Sequence, residues 1–167
     1  MAVFDLGRLL LVLSEEQVEF IIVGGVAAAL QGAPVLTQDV DILYRIEDGN
    51  LERLERALSR LHAVARGDSR NLAFGKSHLM TTGHKLATTD AGALDVLGSI
   101  NDGLLYDDLL GSSDELEVTG QRVKVLSLRR LIELKRALAR PKDLAILPVL
   151  EATLREPTTD QVVLEIS

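Results

Sequence analysis

The chain contains no cysteine and no tryptophan, 3 % aromatic residues in all, and four prolines in 167 residues. Without cysteine there is no disulfide, no thiolate metal site and no thiol nucleophile, a composition compatible with a reducing compartment. Cations are scarce relative to acids: 18 Lys and Arg against 25 Asp and Glu give a formal charge of −7. That balance argues against broad nonspecific binding to nucleic acid, which needs a basic surface to release counterions. No apolar run approaches the roughly 20 residues that cross a bilayer. Met1 to Leu13 lacks a basic segment ahead of its apolar stretch and runs into Glu15-Glu16, so the expectation is a cytoplasmic protein without a secretory leader or membrane association. His62, His78 and His84 lack the spacing or carboxylate pairing of a zinc site. Asp102, Asp107 and Asp108 read as a solvated acidic segment.

What is present is concentrated in one run, FIIVGGVAAALQGAPVLTQDVDILY, residues 20–44. Phe20 to Val23 reads as a short strand buried on both faces. It ends at Gly24-Gly25 and gives way to a helix stopped by Gly32. A strand, a glycine turn and a helix in that order aim backbone N–H groups at an anion, and glycine lets a phosphate approach the backbone. No Gly-Lys-Ser/Thr follows, so this is not a Walker loop, and it is not a G-x-G-x-x-G fingerprint. In TQDVDILY, Asp39 and Asp41 alternate with Val40 and Ile42, which places both carboxylates on one face of a strand. Like charges on neighbouring pleats are comfortable only with a cation or a set of donors between them. Oxygen ligands of this kind suit Mg²⁺ or Mn²⁺, whereas on a solvent-facing edge strand the same acids would only keep the strand soluble. Asp95, within Ala93-Leu94-Asp95-Val96-Leu97, is a third strand-borne aspartate. Asp90-Ala91-Gly92 supplies a turn by which a hairpin from His84 could carry it toward the pair.

Gly24-Gly25-Val26-Ala27, Gly32, Thr37-x-Asp39-x-Asp41 and Leu94-Asp95-Val96-Leu97 resemble the nucleotidyltransferase superfamily that shares its catalytic core with DNA polymerase beta. More narrowly, they resemble its small bacterial members of the AbiE-like, type IV toxin–antitoxin kind. Leu131-Ile132-x-x-Lys135 and Arg140-Pro141-Lys142-Asp143-Leu144 are similar to the helices that close such proteins. The resemblance implies that Gly24, Gly25 and Thr37 bind nucleotide and that Asp39, Asp41 and Asp95 ligate the metals, with Asp95 assisting the acceptor hydroxyl. It implies transfer of a nucleoside monophosphate from a nucleoside triphosphate, with release of pyrophosphate. The acceptor would be an RNA end, a protein or a small molecule, and a toxin–antitoxin partner protein is a further expectation.

Many relatives carry a basic residue shortly before the paired aspartates, where this chain reads Pro34-Val35-Leu36-Thr37-Gln38. A charge-assisted hydrogen bond is worth up to about 3 kcal/mol, so another cation must substitute or the nucleotide binds weakly. Lys135 is the first candidate, since it falls within the apolar stripe Leu128, Leu131, Ile132, Leu138; Lys142 is the second. The alternative for Lys135 is an apolar stem under a solvated ammonium, and Asp143 could simply favour the dipole of the last helix.

The predicted order is a helix over 5–18, strand 20–23, helix 25–31, strand 39–44, and a helix over 50–61 capped by Asn50 with a Glu52–Arg56 pair. Residues 66–83 read as an irregular loop. Strands follow near 84–89 and 93–98, a loop or short helix to 110, strands 114–118 and 121–126, and helices 127–139 and 141–154. The fold class is α+β, a mixed central sheet flanked by helices with a C-terminal helical pair. As one domain it divides into a nucleotidyltransferase-like core over 1–126, helices over 127–156 that pack on it, and a tail over 157–167 in which Val162-Val163-Leu164 could add a strand. Two other functions fit the same residues: a degenerate module of the same fold acting as an antitoxin or partner-binding domain, and an unrelated sheet protein with solvated aspartates.

Overall fold

A computed structural model describes residues 4–156. The chain runs through α1 (Leu6–Glu15), β1 (Phe20–Val23), α2 (Gly24–Leu30), β2 (Asp39–Tyr44) and α3 (Asp48–Arg60). A two-residue strand β3 (Val64–Ala65) and a one-turn helix α4 (Lys76–Leu79) lead into the hairpin β4 (His84–Thr89) and β5 (Gly92–Leu97). After α5 (Tyr106–Leu109) and a 3₁₀ turn, a second hairpin, β6 (Ser113–Val118) and β7 (Gln121–Leu126), is followed by α6 (Leu128–Leu138) and α7 (Pro141–Arg155). The seven strands form one mixed sheet in the order β3-β4-β5-β2-β1-β7-β6, the expected α+β architecture. The Val162-Val163-Leu164 segment lies outside the described residues.

β1 is buried along its whole length, as its unbroken apolar sequence requires. It pairs antiparallel with β2 and parallel with β7, while β2 pairs parallel with β5. Strand periodicity puts Asp39, Asp41 and Leu43 on one face of β2 and Val40, Ile42 and Tyr44 on the other. α2 and α6 pack together, and α6 and α7 pair. α1, α3 and α4 form the other helical group, and Tyr44 reaches it by donating its hydroxyl to the carbonyl of Leu79 at 2.7 Å. The predicted stripe Leu6, Leu9, Leu10, Leu13 of α1 is fully buried, each leucine contributing about 1.5–3 kcal/mol.

Three local expectations are corrected. Glu47, not Asn50, caps α3, accepting from the backbone N–H of Gly49 and Asn50. Asn50 is instead fully buried; it accepts from Glu19 N and donates to the carbonyls of Glu19 and Arg45, tying the end of β2 to the approach to β1. Glu52 and Arg56 do not pair with each other: Arg56 reaches Glu16 on α1 and Glu52 reaches Lys76 on α4. The stretch 66–83 is not all loop, since it contains α4 and directly follows β3. Both pieces are too short to show a period and exist because their neighbours hold them, through Ala65 N to the Leu72 carbonyl and through the Glu55 carboxylate, which accepts from Lys76 N.

Lys85 is another tertiary product. It is 2 % exposed and donates to the Tyr44 hydroxyl and to the carbonyls of Gly83 and Thr81, while burial pushes its ammonium down to about 8. These bonds fasten the 79–83 turn against Gly98, where a Cβ would lie 2.6 Å from the Thr81 carbonyl oxygen. No helix among the described residues is long and apolar enough to cross a membrane.

Candidate active site

β1 hands over to α2 at Gly24, whose φ of +71° an L side chain rarely adopts. The reason for glycine here is also spatial. A Cβ on Gly24 would lie 2.2 Å from Oδ2 of Asp41, and one on Gly25 would lie 3.3 Å from the Cβ and Oγ1 of Thr37. The two glycines thus allow the first turn of α2 to lie directly against the acidic strand and the loop before it. Thr37 fixes the entry to β2: its Oγ1 donates to the Asp39 carbonyl and accepts from Asp39 N.

Asp41 and Asp95 stand directly opposite one another across the parallel pair β2–β5. The β4–β5 hairpin delivers Asp95 there, with its turn closed by Gly92 at φ +113°. Burial, followed by a hydrogen bond that the protonated Asp41 donates to Asp95, the charge of Asp95 and then the charge of Asp39, pushes the Asp41 carboxyl up to about 7, against the opposing pull of Arg66. Asp39 shares the face but is exposed at the start of β2 and lies outside the cleft lining. Among the described residues no three His, Cys, Asp or Glu side chains form a ready-made metal cluster. The donor set still fits a hard divalent cation: it is oxygen-only, two of its carboxylates oppose each other in register, and Mg²⁺ is commonly held by one or two carboxylates plus substrate phosphates.

The pair forms the floor of a cleft of about 790 Å³, within the range of small-molecule sites. Gly24, Gly25, Thr37, Asp41, Asp95, Lys135 and Lys142 all border it, so the structure gathers every predicted site residue except Asp39 around one space. On the side of α6 and α7 the cleft is bordered by Lys135, Arg140 and Lys142 together with Asp143 and apolar side chains. α6 ends at Ala139 in the left-handed conformation, which turns the chain so that Arg140 and Lys135 converge on Asp143. Arg140 donates to both carboxylate oxygens at 2.6 and 3.2 Å, and Lys135 Nζ lies 3.5 Å from Oδ1. Asp143 is therefore more than a dipole partner: its side chain is 1 % exposed, and Arg140 in the first place holds its carboxyl below the usual range. It fixes two partly exposed cations at the cleft.

Sequence reasoning missed Arg66, Arg140 and His84. Arg66 does not itself border the cleft but pairs with Asp95, 2.6 Å from Oδ1, and His84 borders the cleft with Nε2 at 2.9 Å from the Ser99 carbonyl. Arg66 follows a two-residue edge strand and carried no periodic signal; Arg140 was legible only as the residue before Pro141.

The mixed sheet, the glycine turn and the opposed strand aspartates define a nucleotidyltransferase. The chain belongs to the family described as "Nucleotidyl transferase of unknown function (DUF2204)", whose model matches residues 2–165. No curated protein sequence matches it. Its fold is similar to that of a Thermotoga maritima protein described as a nucleotidyltransferase, with 22 % identity, 84 % of this chain and 86 % of that one covered, and a TM-score of 0.55. It is similar to the lincomycin-bound lincosamide antibiotic adenylyltransferase LnuA at 11 % identity, with 90 % and 98 % coverage and a TM-score of 0.59. It is also similar to the antibiotic-resistance factor ANT(2'')-Ia at 17 % identity, with 88 % and 80 % coverage and a TM-score of 0.56.

Proposed function

We propose that the protein transfers a nucleoside monophosphate from a nucleoside triphosphate to a hydroxyl acceptor in a divalent-cation-dependent reaction. The acceptor oxygen bonds to the α-phosphorus as the bond from that phosphorus to the bridging oxygen breaks, and pyrophosphate leaves. Asp39, Asp41 and Asp95 would hold Mg²⁺ or Mn²⁺, which when bound neutralises phosphate charge and activates the attacking oxygen. Asp95 takes the acceptor's proton. Gly24 and Gly25 let the phosphates approach the backbone beside Thr37, and Lys135, Lys142 and Arg140 balance triphosphate charge from the opposite wall. Lys135 thereby supplies the charge missing between Gly32 and Asp39. The observation that carries this reading is the in-register opposition of Asp41 and Asp95 in a cleft that Lys135, Arg140 and Lys142 also border. A cleft of about 790 Å³ supports a small-molecule acceptor beside the nucleotide in this proposal, and the compartment we propose is the cytoplasm.

The test is thermal unfolding with each nucleoside triphosphate, with and without Mg²⁺, for wild type and Asp39→Asn/Asp41→Asn, followed by transfer from the α-³²P-labelled nucleotide that binds. A ligand at a hundred times its dissociation constant stabilises by about 2.7 kcal/mol. A metal-dependent shift with one nucleotide, abolished in the double variant, supports the reading; no shift with any nucleotide sinks it. The Arg66–Asp95 pair and the lack of a cation between Gly32 and Asp39 favour one second reading, a degenerate module that binds a partner protein of the toxin–antitoxin kind. It requires a partner that co-purifies irrespective of the aspartate substitutions.

A further inference from the structure

We propose that Arg66 is a gate on Asp95: its guanidinium competes with a divalent cation for that carboxylate, so Asp95 joins the site only after the guanidinium is displaced. This rests on the nucleotidyl-transfer reading and adds an order of events to it. The Nη2 of Arg66 lies 2.6 Å from Asp95 Oδ1 and so occupies one of that carboxylate's two oxygens, approaching from outside the residues that line the cleft. The side chains of Asp95 and Arg66 are 16 % and 32 % exposed, which screens the pair less than a surface ion pair. Among the described residues no ion pair engages Asp39 or Asp41, so the other two acids are not held in this way.

The geometry suits a gate rather than a fixed strut. Arg66 is anchored through its backbone, whose N–H donates to the Leu86 carbonyl at 2.9 Å, and the residue before it is anchored to the Leu72 carbonyl. The guanidinium can therefore leave by side-chain rotation while β3 stays paired with β4. Its Nη2 also donates to the Ala87 carbonyl at 2.8 Å, a neutral contact that keeps it poised beside the acid. Because a guanidinium is always charged, it leaves Asp95 only when another positive charge takes its place or an anion draws it off. The consequence is sequential assembly: metal and nucleotide enter against Asp39 and Asp41 first, and the acid that serves the acceptor is completed last. A bound nucleotide is then shielded from premature attack by water.

The experiment is titration of the full chain with Mn²⁺ alone, reading free Mn²⁺ by electron paramagnetic resonance, for wild type, R66Q, D95N, R66Q/D95N and D41N, with circular dichroism to verify folding. Removing the competitor should tighten Mn²⁺ binding by about three- to tenfold in R66Q, and the gain should vanish in the D95N background. Unchanged or weaker affinity in R66Q overturns the gate. So does an equal tightening in the D95N background, which would mark a long-range field effect. If R66Q fails to fold, R66K replaces it, with a smaller gain expected and no gain overturning the proposal. Mn²⁺ binding that is lost in D41N but insensitive to R66Q leaves the transfer reading intact and removes the gate; no Mn²⁺ binding in either wild type or R66Q removes both.

Discussion

Asp41→Asn should make the metal-free protein more stable at pH 8 while abolishing transfer. The Asp41 carboxyl is raised from 3.8 to about 7 by burial, then by Asp95 and Asp39. At about 1.36 kcal/mol per pH unit, the charged form is disfavoured by up to about 4 kcal/mol. Asparagine keeps the shape and can donate to Asp95, but some of the burial cost remains, so a gain of about 2 kcal/mol is expected, or about 4–8 °C in a chain of this size. The pH dependence has a definite sign. The folded value lies above the unfolded one, so the folded state binds more protons between them, and this group's stabilisation is full below about 3.8 and lost as pH rises through about 7. Wild type and Asp41→Asn should therefore match near pH 4 and diverge in favour of the variant by pH 8. Saturating Mg²⁺ should close or reverse the gap, because a cation between the acids stabilises only the charged site. The assay is calorimetric unfolding at pH 4, 6 and 8 with and without Mg²⁺. A variant less stable than wild type at pH 8 without metal would refute the claim that burial and the neighbouring acids disfavour the Asp41 carboxylate.

Gly24→Ala should lose about 2–4 kcal/mol in chemical denaturation and lose transfer, because φ +71° costs about 1–2 kcal/mol and the new Cβ meets Asp41 Oδ2 at 2.2 Å; near-wild-type stability would contradict the close approach. Asp143→Asn should weaken nucleotide binding and cost about 1–3 kcal/mol through lost charge-assisted bonds. With its folded value below the unfolded one, Asp143 contributes stability above its unfolded value that disappears as pH falls through the folded one, so the variant should show a shallower acid transition in circular dichroism. Lys85→Met should be destabilised by the orphaned carbonyls of Thr81 and Gly83. Because the Lys85 ammonium is depressed to about 8, wild type should gain on this variant as pH rises from about 8 to 10.5, measured by urea unfolding.

Much of the fold was legible because it rests on local rules. The strand–glycine–helix unit follows from an apolar run broken by Gly24-Gly25, and the faces of β2 and β5 follow from period-two alternation. Ser127 caps α6 as expected, accepting from Arg130 N, and Pro141 opens α7. The misreadings have a common physical origin. Asn50, Glu52 and Arg56 have adequate partners nearby in sequence, yet Glu19, Lys76 and Glu16 compete for them in space. α4 exists only because Glu55 and neighbouring buried apolar residues hold one turn that would be unstable alone.

The sequence by itself determined which residues could form a phosphate-facing site: glycines where a side chain would obstruct the backbone, aspartates alternating on strands, and a lysine within an apolar helix stripe. Only the tertiary structure decided that Asp95 stands opposite Asp41 while Asp39 remains at the rim. The structure alone also buries Asp143 between Arg140 and Lys135 and brings Arg66 to Asp95. Alternation and turn chemistry are properties of neighbouring residues, whereas strand register and ion-pair choice are set by packing between segments far apart in the chain.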